Sequence, residues 1–135
     1  MNGPAAWLHH CGCLTRTLVE TVEAYRPLLG PALSVQPIPI ATQKVQVGFI
    51  PLGNDTFLEL VQPNPDNRFL NRLLDKGVSF YHLGFLCSDL KAKEEELLRL
   101  GAKVLARFES EAFEGRECVF LWLPNEQMVE LIQAP

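Results

Sequence analysis

Apolar and polar residues alternate along this chain in short blocks, and the blocks come twice in the same order. Leu8 to Leu14 reads as a strand. After it, Leu18, Val22, Tyr25 and Leu29 recur at helical spacing, Thr17 with Glu20 forms a capping-box pattern, and Gly30 marks the stop. Three more strands are expected over Leu33 to Ile40, Lys44 to Pro51 and Thr56 to Gln62, with Leu52-Gly-Asn-Asp55 as a hairpin turn. From Tyr81 to Cys87 the series begins again. Ser88 or Asp89 caps a helix carrying Leu90, Leu97 and Leu98, and Gly101 ends it; the charged run Lys91 to Glu96 reads as its solvated face. Strands over Lys103 to Phe108, Arg116 to Leu123 and Gln127 to Gln133 follow, with a turn at Pro124-Asn-Glu126. A linker over 64–77, with a short helix from Phe69 to Leu74, joins the halves.

Direct self-comparison supports a duplication. Phe57-Leu-Glu-Leu-Val-Gln62 reappears 71 residues later as Met128-Val-Glu-Leu-Ile-Gln133. The same shift aligns Gly30 with Gly101, Phe49 with Phe120, Leu52 with Leu123 and Asn54 with Asn125. Near the start one inserted residue pairs His10-Cys-Gly12 with His82-Leu-Gly84. The expected fold class is therefore α+β, built from two β-α-β-β-β modules, 6–63 and 78–135, within a single domain spanning 1–135.

Composition narrows the setting. A chain of 135 residues that is 47% hydrophobic and 21% charged can bury a core without staples. A net charge of -4 gives no electrostatic reason to expect nucleic acid or an anionic membrane surface. No apolar run nears the roughly 20 residues that span a bilayer. The start, Met1 to His10, lacks a basic segment followed by a long apolar stretch, so a cytoplasmic setting with reduced thiols at Cys11, Cys13, Cys87 and Cys118 is expected.

The chemistry gathers at two glutamates. In a strand, Phe57 and Val61 flank Glu59 on one face while Leu58 and Leu60 line the other. Glu130 repeats this between Met128 and Ile132, against Val129 and Leu131. A carboxylate on such an apolar face needs a cation, a hydrogen-bond partner or a proton. His10 and His82 occupy equivalent places at the head of each module. Taken singly, each residue is compatible with a satisfied core histidine or a solvated glutamate. The symmetric set of four points instead to a divalent metal ion, Zn, Ni, Co or Mn, with positions left for water or substrate. Strand alternation puts Cys11 and Cys13 on the face opposite His10, as small core residues, and turns His9 away from the site.

The spacing of His10, Glu59, His82 and Glu130 on paired modules resembles the vicinal oxygen chelate superfamily, which includes glyoxalases, bleomycin resistance proteins, dioxygenases and methylmalonyl-CoA epimerases. Val45-Gln-Val-Gly-Phe-Ile-Pro-Leu-Gly-Asn54, running into Leu58-Glu-Leu-Val-Gln-Pro63, looks most like the epimerase branch. Phe80-Tyr-His-Leu-Gly-Phe85 with Ser88-Asp-Leu90 fits the opening of the second unit. The resemblance implies one curved mixed sheet around the metal site, a homodimer, and a small-molecule substrate such as a coenzyme A thioester. Four features depart from the epimerase pattern. Tyr81-His82 stands for its paired histidines, Gln46 for a glutamate catalytic in some members, and Glu59 for a common glutamine ligand, while Pro124-Asn-Glu-Gln127 shortens the usual glycine-containing stretch before the final strand, which counts against coenzyme A binding.

What the resemblance implies is an isomerase that moves a proton beside a carbonyl, the metal stabilising the charge that develops on oxygen. Glu130 is one candidate base and Glu117, the counterpart of Gln46, another, although Glu117 also reads as an exposed strand carboxylate with a structural role only, the reading slightly favoured. A glyoxalase-I-like lyase acting on thiol–aldehyde adducts is the alternative, since Glu59 makes the ligand set match that type. An extradiol dioxygenase needs one carboxylate fewer. A binding or resistance protein without catalysis is a further reading, and an intact set of four ligands counts against it.

Overall fold

The computed structural model describes residues 5–135, in the order β1 (Ala6–Leu14), α1 (Leu18–Leu29), β2 (Ile38–Ile40), β3 (Val45–Gly53), β4 (Thr56–Pro63), α2 (Arg68–Asp75), β5 (Phe80–Cys87), α3 (Leu90–Arg99), β6 (Lys103–Ser110), β7 (Arg116–Trp122) and β8 (Met128–Gln133). Short 3-10 turns, Ala41–Gln43 and Glu111–Phe113, precede β3 and β7. The class is α+β and the strands belong to one mixed sheet. Contacts divide the described residues into two compact units, Gly12–Tyr81 and residues 5–11 together with His82–Pro135. These units are not the two sequence copies, because β1 is shared: its residues through Cys11 go with the later half.

In the Gly12–Tyr81 unit, β2, β3 and β4 pair antiparallel, and the Thr15 N–H donates to the Val61 carbonyl just past the end of β1. Phe49 stands opposite Glu59 and Val47 opposite Val61. Helix α1 packs on β3 and β4 through Leu18 and Val22. Thr17 caps it by accepting from the Glu20 N–H, as the capping pattern requires, and Gln62 Oε1 accepts from the Leu18 N–H at 2.8 Å. The strand expected over Leu33 to Ile40 forms only at Ile38–Ile40. Pro37 and Pro39 have no N–H to give, so a longer ladder there would lack donors.

In the other unit β5 pairs parallel with β8, and β8, β7 and β6 continue antiparallel. Glu130 is paired with Gly84 on one side and Phe120 on the other. The face toward α3 is apolar: Cys87, Val119, Leu121, Val129 and Leu131 pack with Leu90 of the helix. Burying each aliphatic side chain of this kind contributes about 1.5–3 kcal/mol. Asp89 caps α3 by accepting from the Ala92 N–H, and Gln133 Oε1 accepts from the Leu90 N–H at 2.9 Å. Gln62 and Gln133, the last residues of the repeated sextet, thus do the same work in both copies. Among the described residues no disulfide forms, and Cys13, Cys87 and Cys118 are buried.

Candidate metal centre

The pleat decides which face of each strand meets the helix. In β8, Val129 and Leu131 point to α3, so Glu130 projects to the opposite face beside Phe120 and Ile132. The burial of Val129, Glu130, Leu131 and Ile132 in succession shows that both faces are covered. Glu59 sits the same way in its own unit, in the buried run Leu58-Glu-Leu-Val61, opposite Phe49 on β3. Its exposure is 4%, against 3% for Glu130, so both sequence-flagged carboxylates are buried.

Around Glu130 stand two imidazoles, with His10 fully buried and His82 5% exposed. His10 Nε2 lies 3.0 Å from His82 Nε2, and Glu130 Oε1 lies 3.1 Å from the first and 3.5 Å from the second. Despite those distances Oε1 accepts no hydrogen bond among the described residues. Burial works to raise the Glu130 pKa, and the adjoining imidazoles more than offset it, bringing the carboxyl down to about 2.

Those donors fit a metal ion. Ligands at Zn–N and Zn–O bond lengths are about 3.4 Å apart in a tetrahedron and about 3 Å apart at right angles, close to the 3.0–3.5 Å found here. Imidazole with carboxylate is a donor set suited to borderline divalent ions. The orphaned carboxylate oxygen, costly in so buried a place, is what a cation would satisfy.

The backbone makes room for this cluster at Gly84, whose missing side chain is the reason the His10 ring can lie there. A Cβ at residue 84 would stand 2.0 Å from His10 Cε1. Phe113, from the turn before β7, stacks on His10 with ring centroids 6.1 Å apart and planes at 22°. Neither contact was legible in the chain as a string.

His9 lies behind His10, its Nδ1 2.9 Å from His10 Nδ1, the ring nitrogen directed away from Glu130 and His82. Alternation fixes the direction of the Cα–Cβ bond, and rotation about the side-chain torsions still lets neighbouring rings meet. Glu117, the second candidate base, is exposed in β7 and has the pleat parity of Val119 and Leu121, which puts it on the face opposite Phe120 and Glu130. Cys13 is buried and Cys11 half-buried, and the Cys13 sulfur lies 3.1 Å from the Ser79 hydroxyl.

The fold and this histidine–glutamate cluster define an α+β protein of duplicated modules with a candidate metal centre. A protein-family model described as the Glyoxalase/Bleomycin resistance protein/Dioxygenase superfamily matches residues 9–120, and the chain belongs to that superfamily. Similar solved structures include methylmalonyl-CoA epimerase from Mycobacterium tuberculosis, 22% identical over 95% of this chain and 88% of that one, with TM-score 0.75. A variant of Streptomyces coelicolor methylmalonyl-CoA epimerase in complex with 2-nitronate-propionyl-CoA is 23% identical over 94% and 96%, with TM-score 0.75. A hypothetical protein from Bacillus halodurans C-125 is 16% identical over 97% and 96%, with TM-score 0.76. At such identities the likeness establishes the fold. No curated protein matches the sequence. Among the described residues no helix is long and apolar enough to cross a membrane.

Proposed function

We propose that this chain is a metal-dependent isomerase that moves a proton on the carbon next to a carbonyl, with an acyl thioester such as methylmalonyl-CoA as substrate. The observation that carries the reading is the buried meeting of His10, His82 and Glu130 around a carboxylate oxygen that accepts no hydrogen bond. His10, His82 and Glu130 would hold a divalent ion, and Glu59, the repeat counterpart of Glu130, is proposed as the fourth ligand. The epimerases among the similar structures, one of them in complex with methylmalonyl-CoA, support the substrate class.

When bound, the ion would polarise the substrate carbonyl and stabilise negative charge on its oxygen. The protein's own residues supply the rest. His10 and His82 present their ring Nε2 atoms to Glu130 from buried positions. Glu130 is ionised at neutral pH, the state a proton acceptor needs. Beside the imidazoles it is a weak base; moved away from them, its basicity returns toward that of an ordinary carboxylate. Phe113 and Gly84 hold the His10 ring in place while this happens.

Glu59 favours a second reading, a glyoxalase-I-like lyase, because a carboxylate in place of the epimerases' glutamine changes the ligand charge. Deuterium wash-in separates the two. Metal-loaded protein in deuterium oxide is expected to exchange the α-proton of methylmalonyl-CoA faster than it turns over the glutathione–methylglyoxal adduct. The reverse order would establish the lyase, and no exchange across a panel of acyl-CoA esters would remove the isomerase.

A further inference from the structure

The nitrogen of His10 that faces Glu130 and His82 is Nε2, so its Nδ1 is left to face the other way. There it meets Nδ1 of His9, 2.9 Å distant, and one of these two nitrogens must carry the proton between them. If His10 donates, its Nε2 keeps a lone pair directed at Glu130 and His82. If it accepts, Nε2 carries hydrogen and cannot be a ligand. The hydrogen bond on one ring nitrogen therefore sets what the other can do.

The surroundings of His9 hold it as an acceptor should be held. It is half-buried, with its ring at 87° to that of His10. Phe113 packs edge-on against His9, with centroids 5.1 Å apart, and also stacks on His10, so a single aromatic ring fixes the planes of both. A half-turn of the His10 ring would bring a carbon to His9 and break the contact.

We propose that His9 is a positioning residue: its Nδ1 accepts the Nδ1 proton of His10 and so commits His10 to the tautomer that offers Nε2 to a metal ion. This rests on the metal-binding reading of the cluster, and it assigns a role to a residue whose strand position alone directed it elsewhere. His9 touches neither substrate nor ion; it acts only through its neighbour.

The test compares wild type, His9→Leu and His9→Asn, each first checked for a cooperative thermal transition. Asparagine keeps an acceptor oxygen near the place of Nδ1, whereas leucine keeps bulk and removes the acceptor. Zinc affinity by chelator competition should fall about 10- to 100-fold in His9→Leu and return to within about threefold of wild type in His9→Asn, the outer-shell acceptor being restored. Separately, long-range proton–nitrogen NMR on the metal-free proteins, at about pH 8, where imidazoles are ordinarily neutral, should show His10 protonated at Nδ1 in wild type and His9→Asn. In His9→Leu the same spectrum should show a mixture or the other tautomer. Should His9→Leu keep both wild-type affinity and the Nδ1 tautomer, or should wild-type His10 prove protonated at Nε2, the proposal is overturned. If wild type refuses zinc, the metal reading fails on its own, and the tautomer comparison still decides the role of His9.

Discussion

The closing strands of the two copies are nearly interchangeable, and the turns ahead of them are not. In β3 and β4, Phe49 faces Glu59 across the pair; in β7 and β8, Phe120 faces Glu130. Each sextet ends in a glutamine that caps the helix of its own copy. The preceding turns have the same 3-10 form, yet Ala41–Gln43 ends in a half-buried glutamine and Glu111–Phe113 ends in a buried phenylalanine stacked on His10. Ladder positions are constrained by pairing on both sides, so a duplicated strand has little freedom to change. A turn carries no such obligation, and there one copy has become the wall of a histidine cluster.

That difference should be measurable as an asymmetry. Phe113→Ala is expected to destabilise the protein by about 3–5 kcal/mol, the usual cost of emptying a buried aromatic site, whereas Gln43→Ala should stay within about 0.5 kcal/mol. Equal effects in urea titrations would erase the distinction. Next in size is Gly84→Ala. Its new Cβ would sit 2.0 Å from the His10 ring, so overpacking should cost about 1–3 kcal/mol and metal affinity should drop with it. Gly48→Ala should cost less, since its Cβ would press on Val35 Cγ1 at 2.4 Å, in a half-buried side chain, and touch Leu18 Cδ2 at 3.5 Å. Smallest, and shared by the copies, are the caps. Gln62→Ala and Gln133→Ala should each lose about 1 kcal/mol, Gln133 the more because its amide also donates to the Cys87 and Ser88 carbonyls. A null result at either glutamine would show that the copies differ in their caps as well.

Much of this was legible in the chain because the duplication checks itself. A glutamate between apolar neighbours on both faces of a strand is weak evidence once and much stronger when it recurs 71 residues later with a histidine in register. Thr17 and Asp89 announce their helices by local chemistry, and both caps form. The strand over Leu33 to Ile40 was overextended because alternation was read without counting the donors that Pro37 and Pro39 remove. The contact of His9 with His10 was not legible because period-two reasoning stops at Cβ, and ring torsions lie beyond it. Phe113 gave no signal, since its value comes from a turn that carries it back to a strand more than a hundred residues earlier in the chain. Glu117 was selected by its repeat position; its parity with Val119 and Leu121 was already there to be read and places it on the helix side of the sheet.

At the centre of the account is a cation shared by two imidazoles and the Glu130 carboxylate. Stripped protein reloaded by dialysis against zinc, nickel, cobalt or manganese, then assayed by elemental mass spectrometry beside Glu130→Ala, addresses it directly. The account predicts about one ion per folded chain for at least one of these metals, and a large loss in Glu130→Ala. Wild-type protein that emerges empty from all four, or an alanine variant that fills as well as wild type, would contradict it.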